Sequence, residues 1–203
     1  MTLPFDWFRW IFNYEPIKEE PIKQCNMKVA VIVGHHLKDG GAFSPTLGMN
    51  EFNFYHLVTA KLRNVTVFFH DHKISGYTSR IKDTAKRVDA GNFDLVIECH
   101  FNAAIPEANG CETLFYFKSI KGKQYAQEFS NLVNQRTGIK LRNGGLKPLV
   151  NEKDRGFASV FYPSAPTILI EPFFGSNVSD CEKIGGVDNM ASIIQEFIDN
   201  LFN

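Results

Sequence analysis

From residue 27 onward, hydrophobic and polar positions alternate between two periods. KVAVIVG (28–34) is a short apolar run closed by glycine, as in a buried central strand, and NEFNFYHLVTAKLRN (50–64) follows with apolar residues at helical spacing. VTVFF (65–69) reads as a second strand, SRIKDTAKRVDAGN (79–92) as an amphipathic helix and FDLVIECH (93–100) as a third strand. Further on, CETLFYF (111–117) alternates like a strand, and GKQYAQEFSNLVNQRTG (122–138) is helical with a glycine stop. PTILIEPFF (166–174) is another core strand, and VDNMASIIQEFIDNLF (187–202) closes as a helix. The expected fold class is α/β: a mixed, mostly parallel central sheet with helices on both faces and active groups at the carboxyl ends of strands.

Residues 1–26 stand outside that alternation. They crowd Phe5, Trp7, Phe8, Trp10, Ile11, Phe12 and Tyr14 into a stretch too short to span a bilayer, with Asp6 where a secretory signal would be basic. The first expectation is a helix docked on the domain's own surface; the second is an interfacial segment touching cell wall or membrane. Glu-Pro-Ile-Lys then occurs at 15–18 and again at 20–23, and the prolines make an extended connector. The expected division is therefore an aromatic N-terminal segment with a proline-containing connector over 1–26 and a folded domain over 27–203.

Charge and cysteine usage narrow the classes. Lys+Arg and Asp+Glu balance at 22 each, which argues against a nucleic-acid groove or a polybasic membrane patch. Cys25, Cys99, Cys111 and Cys181 form no Cys-x-x-Cys pair and read as free buried thiols of a protein made in a reducing cytoplasm. Cys99 is rejected as a metal ligand beside His100, because alternation along a strand sends the two side chains to opposite faces.

The chargeable residues gather where strands end. The first strand delivers His35 and His36, the third His100 and the late strand Glu171, while Glu51 opens the first helix. Two histidines and a carboxylate converging at one sheet edge are the ligand set of a catalytic zinc, which keeps its fourth position for water. Glu171 is left over, inside TILIEPFF where an unpaired charge is costly, and a carboxylate beside the metal can take a proton from water and pass it to a leaving amine. Each residue also has a plain structural explanation: a lone histidine after a strand is commonly a hydrogen-bonded loop residue, and Glu51 alone suits a helix N-terminus. Taken together and in order, they point to a metal. His70 and His72, in FFHDHK, are expected first in a solvent-exposed loop, then as substrate contacts, and last as metal ligands. His56 falls off the ligand face of its helix.

These segments resemble the zinc-dependent N-acetylmuramoyl-L-alanine amidases of the amidase-3 class. VGHHLKDGGA is similar to that family's Asp-Pro-Gly-His-Gly-Gly-x-Asp-Pro-Gly-Ala, with register kept from Gly34 through Asp39, Gly41 and Ala42, which puts the ligand at His35. NEFNFYHLVTAKL resembles the segment in which a ligand glutamate opens a helix, here Glu51. DLVIECHFNAA resembles strand-Ser-x-His-x-Asn-Ala, giving His100 as the last ligand and Asn102 as the accompanying asparagine. PTILIEPFFGSN resembles Pro-Ala-x-Leu-x-Glu-x-Gly-Phe-x-x-Asn, with Glu171 in the catalytic carboxylate's place. Ile32-Val33 replace the Asp-Pro, Phe173 replaces a glycine, and His36 replaces another, which makes His36 a candidate substrate contact or a substitute for His35.

The resemblance implies that residues 27–203 are an amidase catalytic domain acting on bacterial peptidoglycan. It would cleave the amide between N-acetylmuramic acid and the L-alanine of the stem peptide, using one zinc ion, water activated by it and Glu171 as general base then acid. No export signal, wall-binding repeat or inhibitory helix is read from the sequence. The expectation is a bacteriophage endolysin, made in the host cytoplasm and released to the wall for lysis. The rivals are a zinc metallopeptidase cutting within the stem peptide and a non-catalytic wall-binding module.

Overall fold

The computed structural model describes residues 27–201; the aromatic segment and connector of 1–26 lie outside the described residues. The strands are β1 (Val29–Val33), β2 (Phe43–Ser44), β3 (Met49–Asn50), β4 (Val65–Phe69), β5 (Leu95–Cys99), β6 (Cys111–Tyr116), β7 (Leu141–Leu149) and β8 (Thr167–Glu171). The helices are α1 (Glu51–Thr59), α2 (Tyr77–Asp89), α3 (Ile120–Thr137), α4 (Phe157–Phe161), α5 (Val178–Ile184) and α6 (Val187–Leu201). Six strands form one sheet in the order β4-β1-β5-β8-β6-β7. All neighbours are parallel except β6 and β8, so the mixed, mostly parallel α/β class is the observed one.

The central strands are buried on both faces, which is why β1 and β5 read as unbroken apolar runs rather than alternating ones. Val29, Val31 and Val33 point into a core shared with α1, α3 and α6, while Ala30 and Ile32 point to the opposite face against Val88 of α2. The Ile32-Val33 pair that stands in place of Asp-Pro thus completes a buried strand. Beneath the carboxyl ends, Phe54, Phe101 and Phe173 pack with ring centroids 6.1, 5.6 and 5.2 Å apart. Phe173 is fully buried there, and burying such a ring contributes about 1.5–3 kcal/mol. The aromatic that replaces a glycine is therefore a floor under the site.

The sequence pattern left β7, α4, α5 and the short β2–β3 pair unread. LRNGGLKPL has no alternation because the β6 register jumps from Cys111↔Leu141 to Thr113↔Leu146, and Asn143, Gly144 and Gly145 of the extra stretch take positive φ. Pro148 is tolerated because β7 is an edge strand.

Candidate metal centre

β1 ends at Val33, and the chain turns at once through Gly34 into His35, whose φ of 63° lies in the left-handed region. That conformation costs a non-glycine residue energy, and the ring it carries lies 4.9 Å, centroid to centroid, from that of His100. The turn closes on glycine: a Cβ at Gly41 would stand 2.5 Å from the His35 ring, and one at Gly34 would stand 2.3 Å from His100 Cε1. Neither position has room for a side chain.

Glu51 enters from the first turn of α1, whose N-cap Asn50 accepts a hydrogen bond from Asn53 N at 2.9 Å. Its carboxylate is buried and accepts from Ala42 N (3.0 Å) and Phe101 N (3.2 Å). His35 Nε2 lies 3.3 Å from its Oε1, and His100 Nδ1 lies 3.1 Å from its Oε2. Burial pushes the Glu51 carboxyl up, but the contacts from His100 and His35 outweigh it and hold the group down to about 2. Burial pulls the His100 ring down, and its hydrogen bonds to Glu51 and Glu98 overcome that and raise it to about 10.

The ligand-capable atoms of His35, Glu51 and His100 all lie within 4.8 Å of one another. A metal fits this cluster on the evidence of the residues themselves: His35 Nε2 is buried with no hydrogen-bond partner, and two imidazoles with one carboxylate suit zinc. His36 is buried beside the group but does not join it; its ring Nδ1 accepts from Lys38 N at 3.3 Å. Burial, then the Arg80 charge, lower its pKa.

Glu171 ends β8 on the far side of His100. Asn102 Nδ2 donates to Glu171 Oε2 at 2.9 Å and to Glu112 Oε1 at 3.0 Å, so both amide protons hold carboxylates. Glu112 is opposite Glu171 in the β6–β8 register and is flanked by Lys147 (3.4 Å) and Arg142 (3.5 Å). Burial raises the Glu171 carboxyl to about 7, with Lys147 and His100 opposing and Glu112 adding to the rise. Glu171, His35, Glu51 and His100 line one cavity of about 960 Å³, which runs on past Arg80 and Arg155.

The sequence pattern assigns no part here to Glu112 or Glu98, and it places His70 elsewhere. Glu112 sits in a strand read only for its alternation. Glu98, where the resembling motif has serine, is buried in β5 and meets His100 Nε2 at 3.1 Å. His70, expected in a solvent-exposed loop, is instead buried: its Nδ1 is 2.9 Å from Thr84 Oγ1 and its Nε2 3.6 Å from Glu98 Oε1. The available signal was a carboxylate interrupting a β-branched run two residues before the histidine.

A mostly parallel α/β sheet that gathers a His–Glu–His cluster and a buried carboxyl at its strand ends defines an α/β domain with a candidate metal centre. The chain belongs to the Amidase_3 family, N-acetylmuramoyl-L-alanine amidase, which matches residues 29–203. It is 27% identical over 170 residues to YqiI of Bacillus subtilis, covering 82% of this chain and 78% of that one. It is 27% identical, with a TM-score of 0.68, to the catalytic domain of the CD27L endolysin targeting Clostridia difficile, covering 86% of this chain and 97% of that one. The N-acetylmuramoyl-L-alanine amidase from Clostridium difficile 630 shares the fold at a TM-score of 0.67 and 23% identity, covering 86% and 96%.

Proposed function

We propose that residues 27–203 form a zinc-dependent catalytic domain that hydrolyses the amide between N-acetylmuramic acid and the L-alanine of the peptidoglycan stem. The observation that carries this reading is one cavity containing both a His–Glu–His cluster with an orphaned ring nitrogen and a carboxyl held near neutrality. His35, Glu51 and His100 would hold the ion, which when bound polarises the scissile carbonyl and makes water a nucleophile near neutral pH.

The remaining chemistry belongs to the chain. Glu171, raised to about 7 by burial, accepts a proton from the attacking water and returns it to the departing amine. Asn102 fixes the carboxylate through its amide, and Glu112, flanked by Lys147 and Arg142, accepts from the same amide on the other side. His36, on the cavity wall, is a substrate contact. Likeness to an endolysin catalytic domain supports placing the activity in phage-induced lysis of a host, acting on the wall after release from the cytoplasm. No helix among the described residues is long and apolar enough to cross a membrane.

The test is Glu171→Gln, with zinc measured on the same preparation. Turnover of purified peptidoglycan falls by about 10²- to 10⁴-fold with one zinc still bound. Turnover within tenfold of wild type would move the general base elsewhere.

A further inference from the structure

We propose that Glu98 is a positioning residue: its buried carboxylate accepts a hydrogen bond from the Nε2–H of His100 and so fixes that ring with Nδ1 presented to the metal. The inference rests on the metal-binding reading above and adds to it a residue outside the ligand set.

The two nitrogens of His100 have different neighbours. Nδ1 faces Glu51 Oε2 at 3.1 Å, on the side where His35 Nε2 also converges; Nε2 faces Glu98 Oε1 at 3.1 Å. The two carboxylates thus meet opposite nitrogens of one ring, so Glu98 stands on the side away from the cluster of three. A neutral imidazole carries one N–H, and its position decides which nitrogen has a free lone pair for a metal. An ionised carboxylate can only accept, so Glu98 keeps the hydrogen on Nε2; Nδ1 also faces a carboxylate, Glu51, and its hydrogen is the one that a metal held among His35, Glu51 and His100 would displace.

Glu98 is itself held in place. It is 2% exposed, and Ser159 Oγ donates to the same Oε1 at 3.0 Å, while His70 Nε2 stands 3.6 Å away, its other nitrogen against Thr84. Gly34 lets the His100 ring lie flush on the turn after β1, since any Cβ there would stand 2.5 Å from Nε2. The ring is clamped between a glycine and a carboxylate. Partners of metal-bound histidines of this kind commonly contribute ten- to hundredfold to metal affinity.

Two measurements on the full chain test the proposal. The first is the nitrogen-15 spectrum of histidine rings in wild-type protein loaded with zinc, with His100 assigned by its absence in His100→Gln. The ring is expected to carry hydrogen on Nε2 and metal on Nδ1; hydrogen on Nδ1 overturns the proposal. The second is the zinc dissociation constant of the wild type, Glu98→Gln and Glu98→Ala, taken by chelator competition without substrate. Glu98→Ala should bind zinc at least tenfold more weakly, and Glu98→Gln, whose amide oxygen still accepts the Nε2 proton, should recover most of that loss. A folded Glu98→Ala protein with wild-type affinity overturns the inference, and if neither variant folds, the wild-type spectrum decides alone. Wild-type protein that binds no zinc removes the functional reading and this one together; zinc bound and peptidoglycan cut with hydrogen on Nδ1 removes only this one.

Discussion

Glu51 is a buried carboxylate that accepts two backbone N–H groups and touches two imidazoles. Removing it should leave both rings without their shared partner, so Glu51→Gln is expected to lose zinc and turnover together, measurable as metal per protein after dialysis. The same contacts give the metal-free protein a pH signature. Glu51, held down to about 2 from 4.5, contributes stability that is present above pH 4.5 and lost as pH falls toward 2. Glu171 and His100, raised to about 7 and about 10, contribute stability that is complete below 4.5 and 6.5 respectively and is lost as pH rises through about 7 for Glu171 and about 10 for His100. The Tm of chelator-treated protein should therefore fall between pH 5 and pH 10, and a Tm that climbs over that span contradicts these assignments. At this scale the convergence of His35, Glu51, His100 and Glu171 on one cavity was legible because each lies where an element with a recognisable pattern ends or opens. Glu98 and His70 were not, because their role depends on burial across neighbouring strands, which spacing along one chain does not reveal.

The elements that carry the site act through their ends, and the sharpest case is the turn after β1. Gly41 has φ of 75° and no room for a Cβ beside the His35 ring, whereas Gly48 has φ of 68° with nothing within 4 Å. Both alanine substitutions put an L residue in the left-handed region, at about 1–2 kcal/mol each. Only Gly41→Ala should also displace His35 and weaken zinc binding by at least tenfold; Gly48→Ala should leave affinity unchanged, and equal affinities for the two would contradict the packing argument. Strands β1, β4, β5 and β8 were readable as short apolar runs, β6 from its alternation, and helices α1, α2, α3 and α6 from apolar residues at helical spacing. β7 was not, since its bulge breaks the period, and α4, with only five residues, is too short to show one.

Across the whole molecule, the parallel strands β1, β5 and β8 run side by side, so their carboxyl ends bring His35, His100 and Glu171 to one rim, and α1 supplies Glu51. The aromatic floor below ties that rim to the core. Phe173→Ala should cost about 3–5 kcal/mol in denaturant unfolding, and a loss below 1 kcal/mol would mean the floor is not structural. The most direct test of the account is the chemistry of the ends released when the protein digests purified peptidoglycan. Hydrolysis at the proposed bond frees L-alanine amino termini without new reducing sugars, and Glu171→Gln frees none while keeping its zinc. Other amino termini with the lactyl amide intact would make the protein a peptidase, and wall binding without any new ends would contradict catalysis altogether.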